Sequence, residues 1–243
     1  MFGTGSTLDV IINQKQTRLS DQALIAQPHS GDGRRVAAVG NKIFVVWAER
    51  IPYGNGTPCW IAELNTEGVE IDKKMLGFAN QGNLIDKRTP HDPDVHDQPQ
   101  LILDNDNNIH ILLGAHHGTL LHTKMRSSEL GLNKGWGYWK KIGQKPQIAW
   151  RGYTYPAAIW YENDLHIVTR WTGDGDPYQW KLVHFSLNDQ KHNEIVALEE
   201  PFGGGYAKFE QRLFIENETL LCSYQTFIGE SGRDAKPVEE KKS

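Results

Sequence analysis

Short apolar runs, each broken by a polar turn and answered by a second apolar run, recur along the chain. Val36–Val39 and Lys42–Trp47 flank Gly40-Asn41, and Gln100–Leu103 and Ile109–Leu113 flank Asp104–Asn108. Ala157–Tyr161 and Leu165–Thr169 flank Glu162–Asp164, and Arg212–Ile215 and Thr219–Tyr224 flank Glu216–Glu218. The turns are rich in Asn and Asp, which tolerate the left-handed backbone that a tight hairpin demands, so each segment predicts an antiparallel pair of strands. With Ile43, Ile109, Leu165 and Thr219 as equivalent points, the hairpins recur at intervals of 66, 56 and 54 residues.

A repeat of roughly 50 residues with several short strands per unit is the mark of β-propeller blades, none of which can bury its faces without neighbours. Cys59–Leu64, Leu120–Met125 and Lys181–Ser186 follow the hairpins as third strands, and Tyr138–Ile142 and Ile195–Leu198 as fourth strands. The expected fold is therefore all-β, a propeller of four-stranded antiparallel blades, with about four blades visible near residues 30–75, 96–142, 155–199 and 207–230. Residues 1–233 form the array, and the charged stretch 234–243 is expected to be a disordered tail. Four blades is the bottom of the usual range of about four to eight. The alternatives are a very small propeller, part of a larger one, or an open array completed by a second copy of the chain, since an uncovered blade face favours self-association.

Composition narrows the function. The 243 residues suffice for one large β domain, and a formal net charge of -4 gives no electrostatic footprint for nucleic acid or an anionic membrane. An anionic ligand would have to be held by local positive groups. No apolar run approaches the ~18 residues of a membrane span, and the N-terminus has no basic region followed by an apolar core, so no secretory signal is read. Cys59 and Cys222 have no metal or redox spacing and are read as buried thiols. Eight tryptophans and eight tyrosines suit a β protein with aromatic surfaces.

Three clusters carry candidate chemistry. His91-Asp92-Pro93-Asp94-Val95-His96-Asp97 places two histidines and three aspartates in a loop before a strand, either a proton-transfer or metal site or a polar turn whose Asp side chains cap backbone amides. Gly114-Ala115-His116-His117-Gly118 ends the partner strand, so the hairpin should bring His96 close to the His116-His117 pair. Adjacent strand residues point to opposite faces, so one of the two histidines faces any shared site. Zinc lacks a clean ligand spacing here. Gly152-Tyr153-Thr154-Tyr155-Pro156 and Arg170-Trp171-Thr172-Gly173-Asp174-Gly175-Asp176 form the third cluster, in which Tyr155 and Arg170 meet at a blade edge, or serve as a core tyrosine and a surface arginine. Asp104–Asn108 lacks the glycine and distant glutamate of a calcium loop and reads as a hairpin turn.

Together the clusters resemble the BNR-4 repeat family, whose members include seven-bladed propeller polysaccharide lyases acting on ulvan. Asp94-Val95-His96-Asp97-Gln98-Pro99 matches an Asp-x-His-Asn-x-Pro loop with Asp97 in place of asparagine. Gly114-Ala115-His116-His117 matches a Gly-x-x-His strand end and puts His117 at the family histidine, and Thr154-Tyr155-Pro156 with Arg170–Asp176 matches the remainder. The resemblance implies a lyase that cleaves a uronate-containing, sulfated polysaccharide by β-elimination. It implies Tyr155, His117 and His96 as proton-transfer groups and Arg170 as partner of the uronate carboxylate. His116, Tyr153, Trp171, Asp174 and Asp176 are read as substrate-binding residues. No cofactor is required, a structural metal ion stays open, and a secreted or periplasmic location follows from the resemblance. The array has fewer blades than the seven of the lyases, so groups supplied there by later blades have no counterpart. A non-catalytic carbohydrate-binding propeller and a sialidase-like glycoside hydrolase are the competing readings; the latter needs paired carboxylates in a cleft.

Overall fold

A computed structural model of the chain describes residues 5–24, 34–50, 57–79, 94, 96–134, 136–143, 152–171, 181–188, 193–195, 207–228 and 236–237. The described residues are strands and turns with a single 3-10 turn at Ser127–Glu129 and no α-helix. None of them forms a helix long and apolar enough to cross a membrane.

An N-terminal hairpin, β1 (Gly5–Ile12) and β2 (Lys15–Leu24), precedes four sheets. The first is β3 (Val36–Val39), β4 (Lys42–Ala48), β5 (Thr57–Asn65) and β6 (Glu70–Ala79), in that order. The second orders β7 (Gln100–Leu103), β8 (Ile109–Leu113), β10 (Leu120–Met125) and β11 (Lys140–Ile142). The third joins β9 (His116–Gly118) to β12 (Tyr153–Tyr161), β13 (Asp164–Trp171), β14 (Lys181–Ser186) and β15 (Asn193–Ile195). The fourth holds β16 (Ala207–Glu216), β17 (Thr219–Ile228) and β18 (Lys236–Pro237). Lys236 and Pro237 pair with Ile228 and Phe227, so the expected tail contributes a short strand; its other residues lie outside the described set.

The repeat sets which face of each blade meets which neighbour. On β8, Ile109, Ile111 and Leu113 pack into one core with Phe44, Val46, Ala48 and Ile61 of the first sheet. Leu112, on the opposite face, joins Tyr153, Leu165 and Ile167 of the third. Middle strands sandwiched in this way are apolar on both faces, which is why every residue of β8 is buried. Ile43, Val45 and Trp47 occupy in β4 the positions of Ile109, Ile111 and Leu113, which face the preceding blade. The N-terminal hairpin fills that place, laying Leu8, Val10, Ile12, Leu19 and Ala23 on Val45, Trp47, Ala62 and Leu64. It caps the exposed face of the first blade, a role that the repeat alone does not reveal.

Polar residues are also repeated between blades. His110 Nδ1 lies 3.0 Å from His122 Nε2, and the pair packs beside Trp160 of the next sheet. One repeat later His166 Nδ1 lies 2.9 Å from His184 Nε2, with Tyr161 alongside. Burial, aided by His110, Lys140 and Lys124, depresses the His122 pKa to about 3, and burial also lowers His110 and His184. The unfolded chain binds these protons near the ordinary imidazole value of about 6.5. Stability is therefore complete above about 6.5 and falls as the pH drops from there toward the folded values. The urea midpoint should decline measurably between neutral pH and pH of about 5, and an unchanged midpoint over that window would contradict the burial of these imidazoles.

Candidate functional site

The turn after β7 begins the site's geometry. Asp104 Oδ1 accepts the backbone amides of Asp106 and Asn108, and Asn107 takes a φ of 59°, so the stretch is a hairpin turn. It returns the chain along β8, so that the loop before β7 and the loop after β8 lie side by side. Gly114 makes their approach possible: a Cβ there would come within 2.8 Å of the Gln98 carbonyl oxygen and 3.2 Å of its nitrogen.

The loop before β7 is tied to the first blade. The Asp94 amide donates to Thr57 Oγ1 at 2.7 Å, Thr57 Oγ1 donates to Asp97 Oδ2 at 2.8 Å, and the Asp97 amide closes on the Asp94 carbonyl at 3.1 Å. Asp97, buried, is thus a structural anchor. Beyond β8 the chain leaves its own blade: His116 of β9 pairs with Thr154 of β12 in the third sheet. Three blades in this way converge on one point.

At that point the Asp94 carboxylate takes hydrogen bonds from two imidazoles. Asp94 Oδ1 accepts from His96 Nδ1 and from the His96 amide at 2.9 Å, and Oδ2 accepts from His116 Nδ1 at 2.5 Å. The two rings lie 4.2 Å apart between centroids. Burial alone would raise the Asp94 pKa, but the hydrogen bonds and charges of His116 and His96 outweigh it and hold the carboxyl well below its usual range. Burial lowers the pKa of His116, with Asp94 opposing the shift and His96 and Arg170 adding to it. The donor atoms of Asp94, His96 and His116 also lie within 4.8 Å of one another, a set chemically suited to a transition metal.

Tyr155 completes the group from the third blade. Thr154 pairs with Arg170 and Ala157 with Val168, so Tyr155 and Pro156 form a bulge opposite Thr169. Tyr155 adopts a φ of 56°, a left-handed conformation that is costly for an aromatic residue and is held here by its surroundings. Gln100 Nε2 of the second blade donates to the Pro156 carbonyl at 2.5 Å, and Thr169 Oγ1 donates to the Thr154 carbonyl at 2.9 Å. The bulge aims the Tyr155 ring at His96, 5.3 Å between centroids, and under the Arg170 guanidinium at 4.6 Å. Tyr155 and Arg170 are 1% and 0% exposed, whereas the His96, His116 and Asp94 side chains retain 17%, 18% and 29%, so the open side of the cluster is the histidine side.

The cluster therefore unites three of the four residues expected to be catalytic, Tyr155, His96 and Arg170. His116, expected to bind substrate, stands beside His96 on the Asp94 carboxylate, brought there by the pairing of β9 with β12. The backbone of His117 lies in β9, and its side chain is outside the described residues. Tyr153 and Trp171, also expected to bind substrate, are core residues: their rings pack 4.5 Å apart, Tyr153 sets an edge against Phe185, and both are buried. Asp174, Asp176, His91, Asp92, Trp150 and Trp180 lie outside the described residues. Asp94 was not among the expected site residues, although it stands in the first cluster and opens the Asp-x-His loop. Cys59 and Cys222 are free thiols, the first buried and the second half-buried.

No family model and no curated protein sequence matches the chain. Solved structures do. A Trypanosoma rangeli sialidase aligns with a TM-score of 0.53 at 10% identity, over 93% of this chain and 38% of its own. An ulvan lyase of polysaccharide lyase family PL25, bound to a saccharide of glucuronate and rhamnose 3-sulfate, aligns with a TM-score of 0.50 at 14% identity. That alignment covers 84% of this chain and 48% of the lyase. The fold is a β-propeller array. The chain spans less than half the length of either protein.

Proposed function

We propose that the chain is a polysaccharide lyase that cleaves a uronate-containing, anionic polysaccharide by β-elimination, as the resemblance to BNR-4 ulvan lyases implies. The observation that carries this reading is the convergence, from the second and third blades, of a phenol, a guanidinium and a carboxylate-bound pair of imidazoles. The structural likeness to an ulvan lyase and to a sialidase, both proteins that handle saccharides, supports the same class of substrate.

β-Elimination at a uronate removes the C5 proton, forms the C4–C5 double bond and expels O4, which takes up a proton. The developing charge sits on the C6 carboxylate as an enolate-like species. Arg170 supplies a fixed, desolvated cation for that carboxylate, where a charge-assisted pair is stronger than in water. Tyr155 and His96, the latter stacked beside His116, divide the two proton transfers, removal at C5 and delivery at O4, their rings lying 5.3 Å apart. Substrate approaches from the histidine side, the accessible side of the cluster, behind which Tyr155 and the Arg170 charge lie buried. Such an enzyme works where the polymer is, outside the cell or in the periplasm.

The test is incubation with a panel of uronate polymers, sulfated and unsulfated, while following ultraviolet absorbance of unsaturated uronate. Growth of that chromophore with at least one polymer is the expected result. Glycan binding with no chromophore on any polymer would leave the non-catalytic carbohydrate-binding reading in its place.

A further inference from the structure

We propose that Asp94 is the positioning residue of this site: one ionised carboxylate fixes both His96 and His116 as Nδ1–H tautomers, leaving Nε2 of His96 as the ring nitrogen that accepts or carries the proton in the reaction, while Nε2 of His116 stays buried behind it. This deepens the lyase reading and rests on it for the reaction, but the tautomer claim stands on geometry alone.

An ionised carboxylate can only accept hydrogen bonds, so each imidazole nitrogen that faces it must carry a hydrogen. Both nitrogens facing Asp94 are Nδ1, one on each oxygen. A neutral imidazole has one N–H, and placing it on Nδ1 makes Nε2 the base. The assignment opposes the tautomer that a free histidine side chain prefers, so it must be enforced. Enforcement is built in. The Asp94 backbone is anchored to the first blade through Thr57, and Oδ1 is further oriented by the His96 amide. His116 arrives on β9, held by the third blade. Asp94 thereby links blades that share no continuous sheet, and it keeps two rings only 4.2 Å apart from turning face to face or flipping. Neither histidine could be assigned a tautomer from sequence, because the choice belongs to a residue two positions before one and 22 before the other.

The measurement is nitrogen NMR of histidine-labelled protein, treated with chelator, alongside kinetics on the cleaved polymer. Two histidines should show the Nδ1–H pattern, and in an Asp94→Asn variant both should move toward the Nε2–H tautomer or a mixture. An amide in that position can accept at one atom only. The same variant should lose about 10- to 100-fold in kcat with KM little changed, as removal of an orienting partner does. Asp94→Glu should recover part of both signals, and circular dichroism should report an intact fold for each. Unchanged tautomers in a folded Asp94→Asn variant would overturn the proposal. So would a stoichiometric zinc ion, bound by the wild type through His96 and His116 and required for turnover, since the carboxylate would then be a ligand. If no polymer is cleaved while the tautomers still depend on Asp94, the lyase reading fails and the clamp stands.

Discussion

Replacing Tyr155 with phenylalanine is expected to slow formation of unsaturated uronate by about 10²- to 10⁴-fold, the usual contribution of a positioned acid or base. The substitution deletes one hydroxyl and leaves the ring, so the packing against His96 and the cation–π contact with Arg170 persist. The backbone demand is unchanged as well, because phenylalanine meets the same φ of 56° at the same cost. Stability should accordingly shift by little, and urea unfolding of the two proteins should nearly coincide. A variant that turns over at the wild-type rate would remove the phenol from the reaction. It would leave Tyr155 as a platform for the guanidinium.

The second large effect is on stability. Asp104 is nearly inaccessible, and it accepts from Asn108 Nδ2 at 2.7 Å, Lys124 Nζ at 2.9 Å and His110 Nε2 at 3.2 Å, besides two turn amides. Asp104→Ala strips all of these partners at once and leaves a buried imidazole facing a cavity beside Trp160. The expected loss is about 3–5 kcal/mol, the range for removing one member of a buried charged network. Urea denaturation measures it. Because the turn also sets how the loops before β7 and after β8 meet, the variant should lose activity in step with folded protein. A loss below about 1 kcal/mol would show that water reaches Asp104 between the second and third blades.

Much of the fold could be read from residue pattern because its blades are local. Ile43, Ile109 and Leu165 not only recur but face the same way in successive sheets, so one periodicity encodes both strand and packing direction. The strands that escaped reading lack that signature. β6, with Glu70, Asp72, Lys73 and Lys74, is an edge strand with one wet face, and polar edge positions look like loop. The N-terminal hairpin is likewise largely exposed, and its role depends on a vacancy that only the assembled array creates. At the site, the pairing of His96 with a histidine after β8 and of Tyr155 with Arg170 followed from hairpin geometry. The contact of His116 with Asp94 did not. It depends on β9 joining β12, a pairing between blades about 40 residues apart in the chain, and no local pattern carries that register. The core positions of Tyr153 and Trp171 were hidden for a related reason: an aromatic beside a catalytic motif looks the same in sequence whether it faces sugar or the next strand.

Elimination at a uronate is tested most directly by the origin of the oxygen at the newly formed chain end. Digestion of a uronate polymer in water labelled with heavy oxygen, followed by mass spectrometry, should give fragments ending in unsaturated uronate with no label at the new reducing end. Saturated fragments carrying one heavy oxygen at that end would show hydrolysis and contradict it.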